Sequence, residues 1–426
     1  MGVAILLGVF ALLLIFRVPV ALSLVISSLV TTLYLGIDLA AIVQRMVSGL
    51  NSFSLIAIPF FILAGEIMNE GGISRRLINL ANVIIGKVRG GLAMVNVLSS
   101  TFFGGISGSA VADVSSIGSV LIPMMKKAKY DADYAVAVTI SSAAQGVLIP
   151  PSHNMIIYAT AAGGVSIGAL FMGGIVPGIA LGLILMVFAY VIAVKRNYPK
   201  GEPVKREEIP KIVREGLLGL FTAVIIIGGI LSGIFTATES AAIGALYAFI
   251  ISFFVYRDVP LSAMANILKR TAKTLSMVLF LIAASSGFGW LLAFLKVPAM
   301  VTETLLSISP NDVVTLLIIN VILLVLGMFM DMAPLILITT PILLPVAMEA
   351  GMDPVQFGVV LILNLAIGLV TPPVGTCLFV GCAIGKIPIE KATKGMLPFY
   401  GAMILLLLLI TFIPDLTLKL PELLLD

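Results

Sequence analysis

The chain has 426 residues, of which 60% are hydrophobic and only 11% charged, with a formal net charge of +4 and a mean hydropathy of +1.20. Soluble domains are roughly half apolar and a quarter charged, so a water-soluble enzyme or a nucleic-acid-binding module is excluded, and recurrent apolar runs of spanning length indicate an all-α polytopic membrane protein. Alternating ~10-residue segments, which a transmembrane β-barrel needs, are absent, and the two cysteines, Cys377 and Cys382, lie in an apolar stretch without metal-ligand spacing.

Met1 opens into an apolar run with no cleavage site, which reads as mature chain rather than a signal peptide. Residues 3–35 exceed one span and are interrupted by Arg17-Val18-Pro19; the expectation is an interfacial segment leading into a crossing at 18–35. A second crossing follows at 53–69. Residues 91–125 are too long for one span and are broken in the middle by GGISGSAVAD (104–113). Each half is ~15 residues, short of the ~20 a crossing requires, so this region reads as a re-entrant helical hairpin. Crossings at 131–160, 167–194, 216–234, 237–256 and 275–296 come next. A second hairpin occupies 313–349, and crossings at 355–384 and 396–413 complete a set of nine.

The loops orient these elements. Cytoplasmic loops carry excess Lys and Arg, and residues 195–214 hold Lys195, Arg196, Lys200, Lys205, Arg206, Lys211 and Arg214 against three glutamates. Counting outward places the net-positive loops 70–90, 126–133, 257–273 and 385–395 inside as well. The outer loops 36–52, 161–166, 297–312, 350–354 and the tail 414–426 contain only Arg45 and Lys419 as basic residues. The N-terminus is expected inside and the C-terminus outside.

The prolines reveal a repeat. Pro345 follows Pro123 by 222 positions, and the same interval maps Pro150-Pro151 onto Pro372-Pro373, Asp131 onto Asp353, Gly105 onto Gly327 and Gly146 onto Gly368 without a gap. The first hairpin rests on a basic loop and the second on acidic Glu349 and Asp353, with an odd number of crossings between them. The halves, about 53–194 and 275–413, are therefore inverted, and 1–69, 167–256 and 396–413 supply the surrounding spans.

Non-helical backbone at membrane depth persists only where it is buried in protein or lines a watery cavity. Each half supplies two such places: the hairpin tips, and the proline breaks GVLIPPSHN (146–154) and GLVTPPVGT (368–376). A proline pair removes two backbone donors and frees carbonyls a turn earlier. Those oxygens suit a small cation such as Na⁺, whereas the following helix N-termini suit a carboxylate. Gly105, Ser107, Gly146, Ile149 and Pro151 form one candidate cation site, and Gly327, Gly368, Thr371 and Val374 its counterpart. The alternative for the glycines is close helix packing. Asp113 and Asp331 near the tips are intramembrane acids that suit a cation, a proton or substrate hydroxyls, or else cap a helix. Ser107, Ser109, Ser152, His153, Asn154 and Thr376 add polar groups facing the same space. Glu66 and Glu239 read as interfacial. P-loop, HExxH and GxSxG motifs are absent, so the chain is not expected to be an enzyme.

The stretches LLGVFALLLIFRVPVALSL (6–24), SLIAIPFFILAGEIM (54–68), FFGGISGSAVADVSSIGSVLIPMM (102–125) and QGVLIPPS (145–152) resemble the large membrane subunit of tripartite ATP-independent periplasmic (TRAP) transporters over essentially the whole chain. The resemblance implies an elevator-type transporter in the bacterial inner membrane, in which the hairpins and broken spans slide against a scaffold of the remaining spans. It implies Na⁺-coupled uptake of an organic acid, such as sialic acid or a C4-dicarboxylate. It also implies a soluble periplasmic binding protein and a small four-helix membrane subunit, expected here as a separate chain. No organic cofactor and no nucleic acid are expected. A stand-alone Na⁺/carboxylate symporter is the nearest alternative; a channel fits less well because the proline breaks resemble carrier ion sites, and a site-less membrane anchor would not need symmetric polar breaks.

Overall fold

The computed structural model describes residues 1–201, 203–308 and 311–425. In chain order the helices are α1 (Gly2–Ile15), α2 (Val20–Leu35), α3 (Leu39–Leu50), α4 (Ala57–Glu70), α5 (Ile73–Ile85), α6 (Gly91–Ser107), α7 (Ala110–Lys127), α8 (Ala132–Gly146), α9 (His153–Ala161), α10 (Ile167–Lys195), α11 (Ile209–Leu231), α12 (Ala237–Ile250), α13 (Met264–Phe294), α14 (Val297–Ile308), α15 (Asp312–Gly327), α16 (Met332–Glu349), α17 (Pro354–Leu369), α18 (Thr376–Gly385), α19 (Ile389–Phe412) and α20 (Asp415–Leu425). The only strand-like pairing among the described residues is an isolated bridge between Arg89 and Lys200.

Local chemistry sets the boundaries. Ser109, Ser166 and Asp353 cap the starts of α7, α10 and α17 through their side-chain oxygens. Thr236 and Glu239 form a reciprocal capping box at the start of α12, which gives Glu239 a structural role. α6 ends on Gly108 at φ +60°, a left-handed conformation that glycine adopts without steric cost.

α10, α11, α12 with its extension to Tyr256, α13, α16 and α19 are long and apolar enough to cross a membrane. The predicted crossings coincide with α2, α4, α8–α9, α10, α11, α12, α13, α17–α18 and α19, and the predicted hairpins with α6–α7 and α15–α16. α16, half of a hairpin, itself reaches spanning length at 18 residues. The 222-residue interval recurs in the element boundaries: α7 and α16 run 110–127 and 332–349, α8 and α17 begin at 132 and 354, and α10 and α19 begin at 167 and 389.

The beginning of the chain differs from expectation. α1 is not an interfacial lead-in. The chain reverses at Arg17, whose φ is +60°, and α1 packs along α2 so that Gly2 lies against Leu35 and Leu295. Phe10 meets Phe288 of α13, ring centroids 5.4 Å apart. Of α1 only Leu6 is buried; the helix contacts α2 and α13 along one side and leaves Leu7, Leu12 and Ile15 exposed. The connecting segments also hold helices that hydropathy did not single out: α3, α5, α14 and α20.

α8 and α17 form the centre. α8 is buried from Tyr134 through Gly146 and α17 from Gln356 through Leu369, as expected for helices surrounded on every face. Their polar side chains are paired across helices. Asn364 donates to Asn320 at 2.8 Å, Asn320 donates to Thr411 at 3.0 Å, and Gln145 donates to the Gly178 carbonyl at 2.9 Å. α10 and α19, which the sequence groups with the surrounding spans, pack against this centre, whereas α1–α4 and α11–α13 pack mainly among themselves and with α5. At the end of the molecule bearing the basic loops, Tyr198 donates to Asp131 at 2.7 Å and Arg196 donates to the same carboxylate at 3.0 Å. Burial pushes the Tyr198 phenol up to about 12, so it remains a donor at physiological pH.

Candidate functional site

Each hairpin tip seats on the break in its neighbouring helix, and glycine makes both contacts possible. In the first half a methyl group on Gly104 would overlap the backbone of Gly146, and one on Gly105 would lie 2.7 Å from the Pro150 carbonyl oxygen. Among the described residues that carbonyl accepts no hydrogen bond. Asn154 donates to the Gly108 carbonyl at 3.2 Å, and Gly108 lies against the His153 ring and backbone. In the second half a methyl on Gly368 would stand 2.5 Å from Cα and 2.6 Å from the carbonyl oxygen of Gly327. Val374 N–H donates to the Met328 carbonyl at 3.2 Å, and Tyr400 donates to the Val370 carbonyl at 2.7 Å. Both proline pairs, 150–151 and 372–373, contain a cis peptide bond.

A cavity of about 510 Å³ lies between the two tips, the first break, and the flanking helices α4 and α13. Ser107, Ser109, His153, Asn154 and Asp331 line it, so five of the eight residues expected to meet substrate converge. So do the first residues of three helices: Ala110–Ala112 of α7, His153 and Asn154 of α9, and Met332–Pro334 of α16. These starts aim the partial positive charge of three helix ends at one space, although the Ala112 N–H is taken by Ser109 and Pro334 carries none. Asp331 occupies the N-cap position of α16 yet makes no helix-capping hydrogen bond, and its side chain is exposed to the cavity. Ser109 both lines the cavity and caps α7 by accepting from Ala112 N–H at 3.3 Å.

The other three expected residues lie elsewhere. Asp113 is 1% exposed and turns away from the cavity toward Gly146 and Ser100. Ser152 and Thr376 follow the breaks and do not line the cavity; among the described residues their buried hydroxyls have no hydrogen-bond partner.

Glu66, Asn69 and Thr274 also line the cavity, and sequence reasoning assigned them no such role. Glu66 accepts from Arg270 at 2.9 Å, and the same guanidinium donates to Glu70 at 2.7 Å. The signal in the sequence was an acid inside an apolar helix; its partner lies 204 positions away. Among the described residues, Glu66 and Asp331 are the charged side chains lining the cavity. A slightly larger cavity of about 590 Å³ lies against the α9–α10 and α11–α12 turns, but among the described residues neither a charged side chain nor an expected site residue lines it. Among the described residues no group of three or more His, Cys, Asp or Glu side chains gathers as a transition-metal site requires.

A membrane-embedded helical protein with paired hairpins, paired broken helices and an internal polar cavity has the architecture of a transporter. Residues 7–416 match the family described as the DctM component of the tripartite ATP-independent periplasmic transporters, and the chain belongs to that family. It is a transporter component and not an enzyme. An uncharacterized protein of Salmonella typhimurium, YgiK, is 44% identical over 99% of this chain and 97% of its own. The sialic acid TRAP transporter large permease SiaM of Vibrio cholerae is 42% identical over 95% of both chains. The isethionate TRAP transporter permease DctMQ of Oleidesulfovibrio alaskensis is 40% identical over 96% of this chain and 65% of its own. Among solved structures, the Alcanivorax borkumensis YdaH transporter shares the fold, with a TM-score of 0.65, 14% identity and 86% coverage of both chains.

Proposed function

We propose that this chain is the substrate-translocating subunit of a Na⁺-coupled importer for a hydroxylated organic acid. The observation that carries the reading is the cavity in which three helix starts and Asp331 converge from both hairpin tips and the first break. The helix starts accept the acid group of the substrate without a basic side chain, and Asp331 accepts hydrogen bonds from its hydroxyls. The volume falls within the roughly 300–1,000 Å³ of small-molecule sites. The names of SiaM and DctMQ, a sialic acid and an isethionate transporter, support an organic acid as cargo.

Na⁺ fits the tip-to-break contacts. They present backbone oxygens such as that of Pro150, and in the first half a cradle beside Gly146 that a Cβ would fill. Hard oxygen donors suit an alkali cation. Binding there ties a hairpin tip to its break and so orders the helix starts that meet substrate.

Elevator-type motion follows from the packing: α6–α10 and α15–α19 form the moving body, and α1–α4 and α11–α13 the frame. The charged loops orient the chain in the inner membrane with the C-terminus periplasmic. In that orientation the Arg17 turn is cytoplasmic and Gly2 lies with the periplasmic end of α2, the reverse of the N-terminus expected from sequence. The cavity borders the ends of α4 and α13 nearest the cytoplasmic loops, an inward-facing arrangement. A small membrane subunit and a periplasmic binding protein complete the tripartite system.

The test is reconstitution with both partners into proteoliposomes. Uptake of an organic acid driven by an inward Na⁺ gradient, and abolished when choline replaces Na⁺, is expected. Uptake of free substrate by this chain alone would favour the stand-alone symporter instead.

A further inference from the structure

The two tip-to-break contacts share a backbone plan but not their side chains. The 222-residue interval that maps Gly105 onto Gly327 and Gly146 onto Gly368 also maps Asp113 onto Leu335 and Ser100 onto Ile322. The first contact thus contains a carboxylate and a hydroxyl where the second contains hydrocarbon.

The environment of Asp113 makes that difference consequential. Neither of its carboxylate oxygens has a hydrogen-bond partner, and no ion pair reaches it among the described residues. The Ser100 hydroxyl stands beside it, buried and likewise without a partner in normal geometry. A Cβ added to Gly146 would lie 3.2 Å from Asp113 Oδ2, 3.1 Å from the Ser100 carbonyl oxygen and 3.1 Å from Gly104 Cα. Carboxylate and carbonyl oxygens therefore border one cradle at the glycine. In the second half, the three nearest atoms to a Cβ on Gly368 are all Gly327 backbone. A buried carboxylate is costly unless it is paired or holds a metal ion.

We infer that Asp113, assisted by Ser100, is the anionic ligand of a monovalent cation in the first half, and that the two cation sites are unequal. One carboxylate balances one positive charge, so the first site holds its ion as a neutral pair. The second holds its ion on neutral dipoles alone. The first site is then the tighter and fills at lower Na⁺ concentration. This rests on the proposal that both contacts bind Na⁺.

The test reads binding rather than transport. The purified full chain in detergent is titrated with NaCl against choline chloride at constant ionic strength, and the rise in unfolding temperature is followed. Wild type should show two phases. Asp113→Asn, nearly isosteric, should weaken the low-concentration phase by about tenfold or more, as loss of a charged ligand predicts, and leave the other phase in place. Thr371→Val should do the reverse. If Asp113→Asn does not fold in choline, Ser100→Ala takes its place and should weaken the same phase several-fold. An unchanged low-concentration phase in the folded variant overturns the assignment of Asp113. Absence of any Na⁺ stabilisation in wild type would overturn the cation sites themselves, a different failure.

Discussion

Gly104 and Gly146 face each other across the α6–α8 contact, yet an added methyl group should act differently at the two. On Gly104 the methyl would overlap Gly146 backbone, with its carbonyl carbon at 2.6 Å. Carbon atoms separate by about 3.5–4.0 Å at optimal contact, so the helices must part by about 1 Å. Overpacking of this kind costs about 1–3 kcal/mol. On Gly146 the nearest atoms stand at 3.1–3.2 Å, and a shift of a few tenths of an ångström relieves the contact for less than about 1 kcal/mol. That same methyl occupies the space beside Asp113 Oδ2 and the Ser100 carbonyl. Gly104→Ala should therefore lower the unfolding temperature measured without Na⁺. Gly146→Ala should nearly preserve it while losing most Na⁺-driven uptake in proteoliposomes. If Gly146→Ala takes up substrate with wild-type Na⁺ dependence, the cradle is packing space and not an ion site. If Gly104→Ala unfolds at the wild-type temperature, the contact is looser than described.

Asp331→Asn should raise the KM for the acid at least about tenfold, the loss of a charge-assisted hydrogen bond of about 1.5–3 kcal/mol, without lowering thermal stability, because the carboxylate faces the cavity and makes no capping bond. Arg270→Ala removes two partly exposed ion pairs and should cost under about 1 kcal/mol in unfolding measurements, but it leaves Glu66 uncompensated at the cavity and should raise the KM for an anion. Asn364→Leu strips the Asn320 carbonyl oxygen of its donor between buried helices and should lower stability by about 1–2 kcal/mol, as thermal unfolding will show. With the native thiols of Cys377 and Cys382 buried, an impermeant maleimide should label Glu207→Cys only from the cytoplasmic side and Leu424→Cys only from the periplasmic side.

The helices and breaks were legible because hydropathy and proline act locally. A run such as 167–194 has one stable state in a bilayer, and Pro150-Pro151 and Pro372-Pro373 interrupt any helix. α1 was misplaced because a uniformly apolar segment packs equally well, on its own terms, against lipid or against α2; Phe288 and Leu295, far along the chain, decide the outcome. α5 and α14 escaped notice because they are short connecting helices, not spans. Ser109 and Asp331 reach the cavity from their place in the broken tips, a place the sequence marks. Asp113 does not reach the cavity, because four residues beyond the cap of α7 the helical turn carries its side chain toward α8, which leaves the cation among the partners the sequence offered it. Glu66 and Thr274 were missed for a third reason: the cavity wall joins α4 to α13, and no local pattern announces that proximity.

The glycine contacts place the candidate ion chemistry mostly in the main chain. Besides the side chains of Asp113, Ser100, Thr371, Ile149, His153 and Leu365, glycine backbone and the carbonyls of the breaks form much of these two seams. The cavity is different: Asn69, Asn154, Thr274 and Met277 present side chains to it. On the proposed function, ion binding and cargo recognition would occupy adjoining layers that meet at Ser107, His153 and Asn154. Exchange of a few cavity side chains would redirect the machine to a new nutrient while the engine that drives it stays intact.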